Sequence, residues 1–334
     1  MSDLSFSSPS RRPELEQIFQ HLAEAAASVD LSGCDTPAQQ WLIATRAMVD
    51  RYGDIGPAVS LDGVAFTPVV ANGVRAYWVT ADGANHARRL VYLHGGGWSS
   101  GTPEGYKVFQ ATLARLSKAS ILFVDYRLAP EHPFPAPLDD CVAAFQWALV
   151  NGPSSEAAGL AGRDPAERIC LAGDSAGGNL SAATCVRQVN SRGRLPDRMA
   201  LIGAALDLTL VRTVRENVWL WAREGIDDGI VSPETLAFSV ESYLLPAQPA
   251  ANPEVSPALT PLATLRMFPP TLLQVSAIEV LEYDSRAFAD RLEKAGVRVN
   301  LSLWPGMPHV WHAFQGLLPE AAEAIAELAD FLNR

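Results

Sequence analysis

From about residue 60 onward, short apolar runs alternate with longer amphipathic stretches. The runs at 64–70, 74–80, 88–93, 120–126, 168–173, 200–206, 271–276 and 298–303 have the length of strands. Asn72-Gly73 joins the first two, a two-residue hairpin signal, so the sheet is expected to open antiparallel. Later runs, such as Ile121-Leu122-Phe123-Val124 and Ile169-Cys170-Leu171-Ala172, are almost wholly apolar, as strands covered on both faces must be. Helical periodicity lies between them, at 105–118, 136–151, 176–191, 284–295 and 318–333. This alternation predicts an α/β protein: a mainly parallel eight-stranded sheet with helices on both faces.

Two regions do not follow the repeat. Residues 1–55 carry a helical stripe of Leu15, Ile18, Phe19 and Leu22, then a second helical run from Trp41 to Tyr52. Residues 210–250 are helical in pattern and rich in large apolar groups, among them Val218, Trp219, Trp221, Phe238 and Tyr243. Neither region has a strand of its own, so both are expected to form a helical cap over the sheet. The core then comes in two pieces, 56–209 and 251–334. The Pro-rich stretch 246–270 reads as a connection back to the sheet and not as an interdomain linker.

Composition narrows the function more than the fold. A chain of 334 residues that is 48% hydrophobic carries ample material for one large core. Its net charge of −11 argues against nucleic acid or anionic membranes as partners. No apolar run reaches the length of a membrane span, and no apolar segment follows Arg11-Arg12, so a cytoplasmic protein is expected. The four cysteines (Cys34, Cys141, Cys170 and Cys185) lack CxxC spacing and read as reduced, buried thiols.

The chemistry is concentrated in two glycine-rich turns. Gly173-Asp174-Ser175-Ala176-Gly177 stands directly after an apolar strand and directly before a small-residue helix. A sharp strand-to-helix turn of this kind exposes a serine as nucleophile, and its small neighbours let helix and strand approach closely. The second turn is His94-Gly95-Gly96-Gly97-Trp98, after the strand Leu90-Val91-Tyr92-Leu93. Glycines without Cβ atoms allow backbone N–H groups to reach a substrate oxygen, and the amide of Ala176 would complete such an oxyanion hole. A phosphate loop is the rival reading, but no Gly-Lys-Ser/Thr follows and no full GxGxxG is present.

With both turns in the same order, the chain resembles the hormone-sensitive-lipase-like esterases (bacterial family IV, GDSAG branch) of the α/β-hydrolase superfamily. Asp125-Tyr126-Arg127-Leu128-Ala129-Pro130-Glu131 matches that family's segment between glycine loop and elbow. The resemblance covers roughly residues 60 to 334. It implies oxyanion donors at Gly96 and Gly97, and a cap made from the N-terminus and an insertion after the sixth strand. The charged residues Asp125, Arg127 and Glu131 read as a turn bracing the glycine loop.

A serine hydroxyl needs a base. Of six histidines, His309 lies in Pro305-Gly306-Met307-Pro308-His309 after the last strand, where this fold carries its histidine, whereas His94 is better used in shaping the glycine loop. His312 follows at i+3, but no third ligand and no HExxH accompany the pair, so no metal is expected. The acid must lie between serine and histidine in chain order. Aligned on the family pattern Asp-x-Leu-x-Asp-Glu, Glu279-Val280-Leu281-Glu282-Tyr283-Asp284 puts a glutamate, Glu279, in place of the usual aspartate. Asp284 is the rival, and reads otherwise as a capping acid for the following helix.

These assignments predict ester hydrolysis through an acyl-enzyme on Ser175, with Glu279 and His309 completing the triad and with no cofactor. The resemblance implies small short- to medium-chain acyl esters as substrates and a possible homodimer through the last strand. Trp41, Trp98, Trp219 and Phe238 are candidate walls of the substrate pocket. Amidase or peptidase activity and a non-catalytic receptor, as in the plant gibberellin receptors, are the other uses of this fold.

Overall fold

The computed structural model describes residues 12–153, 164–211, 228–246 and 248–334. Its strands are β1 (Val64–Ala71), β2 (Val74–Ala81), β3 (Asn85–Leu93), β4 (Ala119–Asp125), β5 (Arg168–Asp174), β6 (Arg198–Ile202), β7 (Thr271–Ser276) and β8 (Val299–Trp304). They form one eight-stranded sheet in the order β1-β2-β4-β3-β5-β6-β7-β8. β1 pairs antiparallel with β2, and β2 antiparallel with β4; every later pairing is parallel. Asn72 and Gly73 both take positive φ, the left-handed conformation that a tight hairpin turn requires.

The described helices are α1 (Pro13–Ala27), α2 (Pro37–Asp50), α3 (Pro103–Ser117), α4 (Ala136–Ala148), α5 (Ser175–Ser191), α6 (Pro233–Tyr243), α7 (Leu262–Leu265), α8 (Glu282–Lys294) and α9 (Pro319–Asn333). Alternation along the strands divides the core into two layers. Val91 and Leu93 of β3 join one buried cluster with Leu138 and Phe145 of α4, Leu180 of α5 and Phe288 of α8. Leu90 and Tyr92 point the other way, into a cluster with Leu113 of α3, Leu328 of α9 and Leu15 of α1. No described helix is long and apolar enough to cross a membrane.

The structure shifts several predicted boundaries. The run 200–206 was expected to be one strand, yet β6 ends at Ile202, because Gly203 turns the chain at φ +48°. Asp284 is not a helix cap. It is buried in the first turn of α8, and its Oδ2 accepts the amides of Leu206 and Asp207 at 2.8 and 3.0 Å. The carboxylate thus holds the segment that leaves the sheet after Gly203. Cys141, Cys170 and Cys185 are buried free thiols, but Cys34 is only half-buried.

Helices outside the sheet layers start on local signals. Thr36 caps α2 and Gln39 returns to the Thr36 amide, a reciprocal capping pair; Ser232 and Thr235 do the same for α6. Trp41 of α2 packs against Phe238 of α6, with ring centroids 4.4 Å apart. Trp219, Trp221 and Val218 lie outside the described residues.

Candidate active site

β5 runs straight into α5, and Ser175 at the junction has φ +51°. A non-glycine residue in that region is strained, and it persists here because the surrounding packing leaves no alternative. Gly177 shows why: a Cβ there would run into the carbonyl oxygen of Leu93, so helix and sheet close on the turn only with glycine. Asp174 is fully buried beside the serine. Its carboxylate accepts Tyr92 Oη–H at 2.7 Å, Tyr106 Oη–H at 2.8 Å and the Gly95 amide at 3.1 Å. Burial pushes its pKa up, and the bonds from Tyr92 and Tyr106 oppose that. Through Gly95, Asp174 ties the serine turn to the glycine loop.

The glycine loop is folded by its own backbone. Ser99 and Ser100 amides both donate to the Gly96 carbonyl, with Ser100 Oγ–H adding a third bond at 2.7 Å. His94 is buried, stacks on Tyr126 at 4.2 Å, and shares a 2.8 Å Nδ1 contact with the Gly95 carbonyl. Burial drives its pKa down to about 4, so the ring is neutral at physiological pH and serves the loop's shape. The bracing expected from Asp125, Arg127 and Glu131 is divided differently. Tyr126 Oη–H reaches the His94 carbonyl at 2.7 Å and the Ala129 amide reaches the Trp98 carbonyl at 2.9 Å. Asp125 and Arg127 instead pair with Arg75 and Asp140.

His309 and Glu279 meet after β8 and β7. His309 Nδ1–H donates to Glu279 Oε2 at 2.7 Å, with both side chains buried. Ser276 fastens the two loops, its Oγ–H donating to the Met307 carbonyl at 2.6 Å. Gly203 lies close against both groups; a Cβ there would stand 2.9 Å from Glu279 Oε1 and 3.0 Å from His309 Cε1. His309 Nε2 is buried without a partner among the described residues, on a ring that lines the same cavity as Ser175. Burial lowers the imidazole pKa, but Glu279, Asp228 and Asp174 together outweigh it and the value is raised. His312 faces away, its Nε2 bonded to Gln274 Oε1 at 3.0 Å and its pKa driven to about 3 by burial. Among the described residues no group of three metal-ligating side chains forms.

Ser175, Ala176, Gly96, Gly97 and His309 open onto one cavity of about 280 Å³. Its other walls come from α2 (Trp41, Thr45, Met48), from Tyr52, from Ile230 and Val231, and from Leu236 and Ser239 of α6. Trp41 and Trp98 are therefore at the cavity, although the Trp98 indole is buried and stacked on Tyr243 at 4.6 Å. Phe238 is not a wall; it stands behind Trp41. Tyr52, Met48, Tyr106 and Asp228 escaped the sequence reading. Only the helical period of 41–52 could have pointed to the first two.

A buried serine turn, an imidazole held by a carboxylate and a glycine loop on one cavity define a serine hydrolase on an α/β sheet. The α/β-hydrolase-fold family signature matches residues 90–313, and the chain belongs to that family, within its hormone-sensitive-lipase-like (bacterial family IV) serine esterases. An esterase of Acinetobacter venetianus is 32% identical over 299 residues, covering 89% of this chain and 91% of its own. An acetyl-hydrolase of Streptomyces hygroscopicus is 35% identical over 249 residues, covering 74% and 75%. The crystal structure of an esterase from the bacterial hormone-sensitive lipase family superposes with a TM-score of 0.78 at 32% identity, covering 97% of this chain and 98% of that one.

Proposed function

We propose that this carboxylesterase hydrolyses short- to medium-chain acyl esters through an acyl-enzyme on Ser175, with His309 as base and Glu279 as its acid. The observation that carries the reading is the 2.7 Å bond from His309 Nδ1 to a buried glutamate, on a ring whose Nε2 is unpartnered beside the Ser175 cavity. His309 Nε2 takes the Ser175 proton as Oγ attacks the ester carbonyl. The amides of Gly96, Gly97 and Ala176 receive the oxyanion. The alcohol departs with the proton from His309, and water, activated by the same ring, releases the acid. In this reading residues 1–55 and 210–250 make the cap and 56–209 with 251–334 the catalytic core. The apolar walls Trp41, Met48 and Leu236 favour an alkyl chain, and the cavity volume limits its length. The test is hydrolysis of p-nitrophenyl esters of increasing acyl length: kcat/KM should peak among short to medium chains, and a peak at long acyl chains would overturn the chain-length reading.

Three smaller predictions rest on the same site. His309 must be neutral to accept a proton, so kcat/KM should fall as pH drops through its raised pKa, with an acid limb above the ordinary histidine value. Asp228 is buried, with Oδ1 accepting the amides of Ile230 and Val231, and burial raises its pKa to about 7. The ionised form of Asp228 favours the imidazolium, so Asp228→Asn should move the acid limb to lower pH; a pH–rate profile that does not move would contradict this. Gly97 has φ +59°, and a Cβ there would stand 2.7 Å from Ser239 Oγ. Gly97→Ala should therefore displace the oxyanion amide and cost roughly 10²- to 10³-fold in kcat with KM little changed.

A further inference from the structure

Helix α2 does more than wall the cavity. Four residues beyond Arg46 on the same helix, Asp50 Oδ1 accepts Thr102 Oγ1–H at 2.7 Å, where the glycine loop passes into α3. Arg46 itself reaches the loop's middle: its Nε–H donates to the Ser99 carbonyl at 2.8 Å, and its Nη2–H to the Ala129 carbonyl at 3.4 Å. The same guanidinium is held bidentately by Glu131, at 2.9 and 2.8 Å. Ser99 is the residue whose amide closes the turn on the Gly96 carbonyl, and Ala129 is the residue whose amide holds Trp98. One planar side chain therefore joins the cavity-facing helix to both backbone segments that shape Gly96 and Gly97. Ser239 of α6 also abuts Gly97.

We infer that Arg46 is a positioning residue for the oxyanion hole: through Ser99 and Ala129 it holds the Gly96–Gly97 amides in register with the cap helix that encloses the substrate. This rests on the oxyanion role proposed above for Gly96 and Gly97. A planar fork fastened on one side by Glu131 presents its remaining N–H groups at fixed positions, which a lysine ammonium on a flexible stem does not. Preorganised donors stabilise an oxyanion because they need not reorient as charge develops, and a small displacement is felt mainly in the transition state. Trp41, Thr45 and Met48 lie on the same helix, so the side chains that wall the cavity and the arginine that reaches the loop belong to one element.

The test compares wild type with Arg46→Ala, Arg46→Lys, Glu131→Gln and Gly97→Ala, using p-nitrophenyl butyrate and an alkyl trifluoromethyl ketone. Ser175 Oγ adds to the ketone carbonyl carbon, the serine proton passes to His309, and the former carbonyl oxygen carries the negative charge into the hole. Only the carbonyl π bond opens and no group leaves the inhibitor, so its Ki reports oxyanion binding without turnover. Arg46→Ala is expected to lower kcat about 10- to 100-fold, with KM within about twofold, and to weaken ketone binding by the same factor as kcat. Arg46→Lys should recover part of both losses, and Glu131→Gln should show a smaller loss in the same direction. Thermal unfolding of each variant identifies any that fails to fold, and Glu131→Gln, at an exposed carboxylate, carries the test if Arg46→Ala does. A loss confined to KM, or a fall in kcat with unchanged ketone Ki, would overturn the proposal. If Gly97→Ala also leaves the ketone Ki unchanged, the oxyanion assignment itself fails; if only the Arg46 and Glu131 variants do, the failure is that of the positioning role alone.

Discussion

Ser175→Ala is expected to lose on the order of 10⁴-fold or more in kcat toward p-nitrophenyl butyrate, with the folded protein retained. The substitution removes one oxygen from a turn whose conformation is set by its neighbours. Gly177 still lies against the Leu93 carbonyl, and Asp174 still joins Tyr92, Tyr106 and the Gly95 amide. Stability should change little, since no hydrogen bond among the described residues passes through the Ser175 hydroxyl. The amides of Gly96, Gly97 and Ala176 and the cavity they open onto remain, so some rate above the uncatalysed reaction is expected, as occurs when one member of a catalytic triad is removed. A fluorophosphonate probe should label wild type at Ser175 and leave the variant unlabelled. Near-wild-type turnover in the variant would dismiss the acyl-enzyme mechanism altogether.

Glu279→Gln is expected to cost about 10³- to 10⁴-fold in kcat, because a neutral amide no longer fixes the imidazole tautomer or stabilises the imidazolium that forms. The native bond is short, buried and charge-assisted once His309 is protonated, and a carboxamide of equal size keeps the packing against Gly203 while removing the charge. The imidazole pKa should fall, since Glu279 is the largest of the charges that raise it, and the acid limb should move to lower pH. Glu279→Asp should be intermediate: the charge is kept, but the carboxylate is withdrawn by one methylene from a ring whose loop is pinned by Ser276. Asp284→Asn provides the contrast. Its oxygen serves the Leu206 and Asp207 amides, so the expected effect is a lowered melting temperature with kcat of the folded fraction nearly unchanged. Equal losses of kcat in Glu279→Gln and Asp284→Asn would refute the division between them.

The order of strands and helices was legible because buried parallel strands must be apolar on both faces and covering helices on one stripe. The two glycine turns were legible for a related reason: close backbone approach tolerates only small residues, and those leave a compositional mark. Glu279 could be aligned at a position usually held by aspartate because its spacing to Leu281 survives. The end of β6 was not legible, since residues 203–206 are as small and apolar as a strand and only Gly203 marks the bend. Asp284 looked like a cap because helix starts favour acids, and nothing local shows that its partners lie 78 and 77 residues away.

By itself, then, the amino-acid sequence determined which strands and helices alternate, where the serine turn and the glycine loop stand among them, and which histidine stands after the last strand. Each of these depends on a local pattern: a periodicity, a turn composition or an element boundary. Tertiary structure alone decided that Glu279 and not its rival Asp284 is the carboxylate on His309 Nδ1, that Asp174 fastens the serine turn to Gly95, and that Arg46 spans Ser99, Ala129 and Glu131. Those contacts join residues 30 to 85 positions apart. A charged or polar side chain reads the same in sequence whether it faces water or a buried partner, and only the packing of distant elements determines which.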